Sequence, residues 1–223
     1  MKPLLLIFLT IACALSQSAE KAWYELVDQK SRKAPEFSYQ TNNPELPNIL
    51  IYGDSISIQY HKELREKLTG KANLYRLPWN GGDSSTLILK MTKLHETMGN
   101  PDLDAPWNFK WDVVQFNVGL HDLKYMDGKK LDTKVGKQVS SLRDYEKNLQ
   151  SIIPYLRELA PGAKLIFATT TPVPEGGNGR VAGDAIRSQP RRSESSKRES
   201  GHYRERPLFL HKTESAKVVD KTW

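Results

Sequence analysis

The residues of this chain best suited to chemistry sit in three short polar blocks, and the first follows an apolar run, Ile49-Leu50-Ile51-Tyr52. That block is Gly53-Asp54-Ser55-Ile56. An apolar run of strand length, a tight turn and an amphipathic segment predict a buried strand leading into a helix. The Ser55 hydroxyl then stands at a helix N-terminus, where unpaired backbone N–H groups stabilise an anion. This is a suitable place for a nucleophile, although a lone serine there also serves as a plain helix cap. The company of the other two blocks, Asn80-Gly81-Gly82-Asp83-Ser84-Ser85 and Phe116-Asn117-Val118-Gly119-Leu120-His121-Asp122, favours the nucleophile.

In order and spacing the three blocks resemble those of the SGNH, or GDSL-type, esterase and lipase family, over roughly residues 47 to 186. The resemblance implies a serine that attacks an ester carbonyl while the serine N–H, a glycine N–H and an asparagine amide hold the oxyanion. Carried over by position, Ser55 is the nucleophile and Gly82 the second oxyanion donor. The third block of the family usually reads Gly-x-Asn-Asp, whereas this chain has Gly119-Leu120-His121-Asp122. A neutral imidazole donates one N–H, so His121 can replace the amide if a partner on its other nitrogen sets the tautomer. The plainer role for His121 is a loop histidine bonded to backbone. Asn117 lies two residues before Gly119, still at the strand end. No cofactor or metal is implied; the substrate is a small-molecule or carbohydrate ester, bearing acyl or O-acetyl groups.

Serine catalysis also needs a base oriented by a third group, and the family supplies both from a C-terminal Asp-x-x-His. That motif is missing here. Glu199-Ser200-Gly201-His202 is the nearest imitation, in a segment without strand or helix periodicity. His211 lacks an acid three residues before it, His61 follows the nucleophile closely on its helix, and His95 falls on a polar helix face. His61, His95 and His211 read as solvated surface histidines.

From Asp184 to Trp223 the chain has 10 Lys or Arg and 6 Asp or Glu, and Arg187–Ser200 is almost free of apolar side chains. Such a stretch buries too little to offset its ordering entropy. The basic stretch over 187–223 is expected to be either a disordered tail or the product of a reading-frame error, and one observation favours the error: a shifted back-translation of Gly201–Phe209 can yield Gly-Ile-Thr-Val-Asn-Asp-Leu-Phe, similar to the strand before the family's last block. Much of the net charge of +7 comes from this tail, and no helix-turn-helix, finger or aromatic-basic signature accompanies it, so nucleic acid is not the expected partner.

At the other end, Met1-Lys2-Pro3, the apolar run Leu4–Leu15 and Ser16-Gln17-Ser18-Ala19 predict a signal peptide over 1–19, cleaved before Glu20, and hence a secreted or periplasmic protein without stable membrane insertion. The only cysteine, Cys13, lies inside it, and Thr10-Ile-Ala-Cys13 matches a lipoprotein site only faintly.

Alternating strands and helices position the blocks. Residues 20–47, with Pro35, Pro44 and Pro47, read as an irregular arm, and 48–186 as one domain. Strands are expected at 48–52, 73–77, 111–116 and 164–170, with helices at 58–68, 85–98 and 142–159. Each block follows a strand, which in a parallel sheet places all of them at the ligand-binding edge. The fold class is therefore α/β, and the resemblance implies a flavodoxin-like three-layer α/β/α sandwich without its last strand and helix. Gly-x-Ser-x-Gly, Gly-x-Gly-x-x-Gly and P-loop patterns do not occur. Asp102, Asp104, Asp112 and Asp122 lack convergent metal-ligand spacing, and Trp107, Phe109 and Trp111 read as packing aromatics before sugar-stacking ones. Two functions follow: a secreted ester hydrolase impaired by its missing base, or a noncatalytic carbohydrate-binding or remnant domain.

Overall fold

A computed structural model describes residues 16–187 and 216–219, with 186–187 and 216–219 described as backbone only. Helix α1 (Ala19–Leu26) opens on Ser18, whose hydroxyl accepts from Lys21 N–H at 3.3 Å. Ala19, Ala22 and Trp23 recur at helical spacing and are buried. The expected irregular arm therefore begins with a packed helix, followed by a 3-10 turn at Pro35–Phe37. The residues expected to be cleaved away also take part. Gln17 pairs with the backbone of the 102–104 loop, and Ala19 N–H donates to Asp104 Oδ1 at 2.8 Å.

Strand β1 (Asn48–Tyr52) leads into α2 (Ser55–Leu68), and β2 (Asn73–Arg76) leads through a 3-10 turn, Ser84–Thr86, into α3 (Leu87–Met98). Helix α2 starts three residues earlier than its periodicity predicts, because the Asp54 carboxylate caps it by accepting Ile56 N–H at 2.9 Å. Next come β3 (Val113–Phe116) and a small antiparallel sheet of β4 (Tyr125–Asp127), β5 (Lys130–Leu131) and β6 (Lys137–Gln138). Its strands are too short and polar to stand out as a sequence pattern. Helix α4 (Leu142–Leu159) has the expected bounds. Its cap is Ser141, which accepts Asp144 N–H at 3.1 Å and donates to the Asp144 carboxylate at 2.6 Å. The chain continues through β7 (Lys164–Ala168), a short α5 (Asp184–Arg187) and β8 (Ala216–Val219).

The main sheet has the order β2-β1-β3-β7-β8, parallel throughout its first four strands. Helices flank these strands, compatible with a three-layer sandwich. At the edge where the resemblance leaves no strand, β8 pairs antiparallel with β7. The rest of the 187–223 tail beyond Arg187 lies outside the described residues. Along β1, β2, β3 and β7, Leu50, Tyr52, Tyr75, Val114, Phe116, Leu165 and Phe167 face a single core shared with Met91, Leu94, Ile152 and Leu156 of α3 and α4. The opposite face carries Ile51, Leu74 and Arg76, by the two-residue alternation of a strand, and α2 packs there on β2 and on the 35–37 turn. From β1 the chain moves first to β2 on one side and then to β3 on the other. The loops after β1 and β3 thus diverge at a topological switch point, where open α/β sheets form a crevice.

Candidate active site

Ser55 is the first residue of α2 and is exposed at the carboxyl end of β1. Neither its hydroxyl nor its backbone N–H has a hydrogen-bond partner among the described residues. Both the hydroxyl and the N–H expected of a nucleophile at this turn are thus available. No base among the described residues touches the hydroxyl. His202 and His211 lie outside the described residues, and of the three histidines expected to be solvated the two that are described are not: His61 is buried and His95 half-buried. His61 is fully buried, with its imidazole pKa driven down to about 3 by burial and by the Arg65 and Arg76 charges. His95 packs edge-on against Trp107 and Trp111, each at 5.8 Å, and burial lowers it to about 4.

The glycine block is tied directly to the first. Gly81 N–H donates to Gly53 O at 2.9 Å, and a Cβ on Gly81 would come within 2.7 Å of that same oxygen. The Gly81 carbonyl accepts from Tyr52 Oη at 2.8 Å, Lys90 Nζ at 2.7 Å and Thr86 Oγ1 at 2.9 Å. Gly82 has φ +76°, a left-handed conformation that favours glycine. Its N–H, the expected second oxyanion donor, is engaged: it donates to Asn80 Oδ1 at 2.9 Å.

The third block is fastened to the second through Asp122, which is buried. Its carboxylate accepts Ser84 N–H at 3.0 Å and Ser84 Oγ–H at 2.6 Å, while Asn148 of α4 donates to Ser84 Oγ at 2.8 Å. Burial pushes the Asp122 carboxyl up, against the pull of these hydrogen bonds. Gly119, at φ +134°, lies against Thr170, and any Cβ there would overlap the Thr170 hydroxyl. Asn117 remains at the strand end, donating from Nδ2 to Ala168 O at 3.3 Å.

His121 is half-buried beside the third block. Lys124 Nζ lies 3.0 Å from His121 Nδ1. A charged ammonium has no acceptor capacity, so it donates to Nδ1 and leaves the imidazole proton on Nε2. Burial first, and then the Lys124 charge, hold His121 below the usual imidazole range, in its neutral form at pH 7. Arg180 Nε donates to Leu120 O at 2.6 Å, clamping the block from the loop after β7. Lys124 and Arg180 escaped the sequence reading. The three-residue spacing from His121 to Lys124 was a usable sign, whereas Arg180 left none.

Other candidates have structural work. Asp112 Oδ2 accepts Asn48 N–H at 2.7 Å, and Trp107, Phe109 and Trp111 pack around Tyr75 with centroids 5.1–5.2 Å from it. A cavity of 280 Å³ lies between the third block, the small sheet and α4, lined by Asp122, Tyr125, Gln138, Ser140, Tyr145 and Asp184 among others. No helix among the described residues is long and apolar enough to cross a membrane. No protein-family model matches this chain, and no curated protein matches it significantly.

Proposed function

We propose that this chain is a secreted SGNH-type serine hydrolase domain, flavodoxin-like in arrangement, acting on acyl or O-acetyl ester bonds and impaired by the absence of the Asp-x-x-His that the resemblance calls for. The observation that carries the proposal is the union of three loops at one sheet edge: the turn bearing Ser55 is bonded to the glycine block, and the glycine block through Ser84 to Asp122, next to His121. In this reading Ser55 Oγ attacks the ester carbonyl, and Ser55 N–H, Gly82 N–H and His121 Nε2–H receive the oxyanion. Each such donor is worth about 2.7–4 kcal/mol in transition-state stabilisation. The cavity beyond Asp122 presents carboxylates, phenols and an amide, groups that hydrogen-bond sugar hydroxyls, which favours a carbohydrate ester over a long acyl chain.

The unpartnered Ser55 hydroxyl favours one rival, a noncatalytic carbohydrate-binding or remnant domain. Prolonged exposure of the full chain to a fluorophosphonate, followed by peptide mass spectrometry, separates the two. The hydrolase reading expects a slow adduct on Ser55 that Ser55→Ala abolishes, with p-nitrophenyl acetate turnover barely above background. The binding-domain reading expects no adduct, and retained affinity of Ser55→Ala for acetylated oligosaccharides. Fast Ser55-dependent turnover would instead reveal a base, and His202 would be the first residue to replace.

A further inference from the structure

The face of the sheet covered by α2 holds positive charge where a buried parallel strand ordinarily carries aliphatic side chains. Arg76, the last residue of β2, is 1% exposed, and His61 of α2 is 0% exposed. Arg76 has a single long hydrogen bond, from Nη2 to Ser57 Oγ at 3.5 Å, and its Nε and Nη1 have no partner. Neither ring nitrogen of His61 has one, nor does Arg65 Nε. Of the seven buried side-chain nitrogen and oxygen atoms without a partner among the described residues, five belong to these three side chains.

Counter-charge reaches both guanidiniums only through space, from Glu36 on the Pro35–Phe37 turn. No carboxylate among the described residues forms an ion pair with Arg65 or Arg76. Arg65 spends its two terminal nitrogens on Pro35 O and Ser38 O at 3.2 and 3.3 Å, and Arg76 stacks over the Phe37 ring at 4.5 Å. Carbonyl dipoles and a ring quadrupole soften the burial of a guanidinium but supply no counter-charge. Burial is also what lowers Arg76 to about 10.

We infer that Arg65, Arg76 and His61 enclose a binding site for one small monovalent anion of the chloride class, between α2, β2 and the Pro35–Phe37 turn. A halide accepts several N–H groups from different directions and carries the unit charge that a water molecule lacks. The near-complete burial of Arg76 and His61 excludes larger polyatomic ligands such as sugar phosphates. Ser57 connects the site to the nucleophile turn, since its hydroxyl donates to Asp54 O at 2.7 Å while accepting from Arg76. The ion therefore braces the turn that presents Ser55 from behind, whatever chemistry Ser55 performs.

The test is thermal unfolding of the full chain in sodium chloride, bromide, sulfate and methanesulfonate at constant ionic strength. The midpoint is expected to rise with the logarithm of chloride or bromide concentration once the site saturates, and to stay flat in methanesulfonate and sulfate. Arg76→Met, which keeps the stem and removes the charge, is expected to abolish the halide response. Should that variant fail to fold, bromide-soaked crystals of the unaltered chain provide the second measurement, with an anomalous peak expected within hydrogen-bonding distance of Arg76 Nε and His61. A midpoint indifferent to halide, a sulfate response as large as that of chloride, or no bromide peak at this place would each overturn the proposal.

Discussion

A trans peptide directs its C=O and N–H to opposite sides, so the three donors on the Gly81 carbonyl also aim the Gly82 N–H. That N–H meets Asn80 Oδ1, which occupies the direction an oxyanion would use. Asn80→Ala is accordingly expected to speed phosphonylation of Ser55 several-fold, below the ~10²–10³ that a complete oxyanion donor contributes. A slower reaction would mean that Asn80 shapes the glycine turn and does not obstruct it. His95 makes a second prediction, in pH. Its folded pKa is depressed to about 4 from 6.5, so between those values the unfolded chain binds the extra proton and stability falls as pH falls. From pH 7 to pH 5 this one group withdraws about 2 kcal/mol. His95→Phe keeps a ring against Trp107 and Trp111, and urea unfolding at the two pH values should show that part of the loss removed. An unchanged pH slope would count against neutral burial of His95.

At the scale of elements, α4 is anchored to the sheet by one stripe. Ile152 is 1% exposed, in the same core as Leu50 and Phe116, whereas Leu89 on α3 is 73% exposed. Ile152→Ala should cost about 2–5 kcal/mol by lost transfer energy and cavity formation, and Leu89→Ala should stay within about 0.5 kcal/mol. Denaturant midpoints check both. Because α4 also supplies Asn148 to Ser84, loosening it should release the tie between the second and third blocks before the turn at Ser55 is affected.

Across the whole molecule, the segment just before α1 closes the domain at the 102–104 loop. A chain starting at Glu20 loses the Ser18 cap, the Gln17 pairing and the buried Ala19 contact with Asp104. A chain starting at Gln17 keeps them. The shorter form should unfold about 1–2 kcal/mol more easily, the usual worth of a helix cap with some added packing. Equal stabilities would show that α1 contributes little beyond its own residues. N-terminal sequencing of protein recovered from an expressing culture would then show whether either of these starts occurs.

The amino-acid sequence alone determined the four parallel strands, the bounds of α4 and the edge on which Ser55, Gly82 and His121 belong. Those features rest on local periodicity and on strand-to-helix turns, which neighbouring residues dictate. The helix in the arm was also within reach, since Ala19, Ala22 and Trp23 share one face; the cleavage expected after Ala19 divided that face. Tertiary structure decided the states of the polar groups at that edge. Whether Gly82 N–H is free depends on where Asn80 turns, and the His121 tautomer depends on Lys124. The burial of His61 and Arg76 and the partial burial of His95 depend on elements far away in sequence, and β8 pairs across an intervening stretch of chain. A side chain's type is local, but its hydrogen-bond partners and its exposure to water are properties of packing.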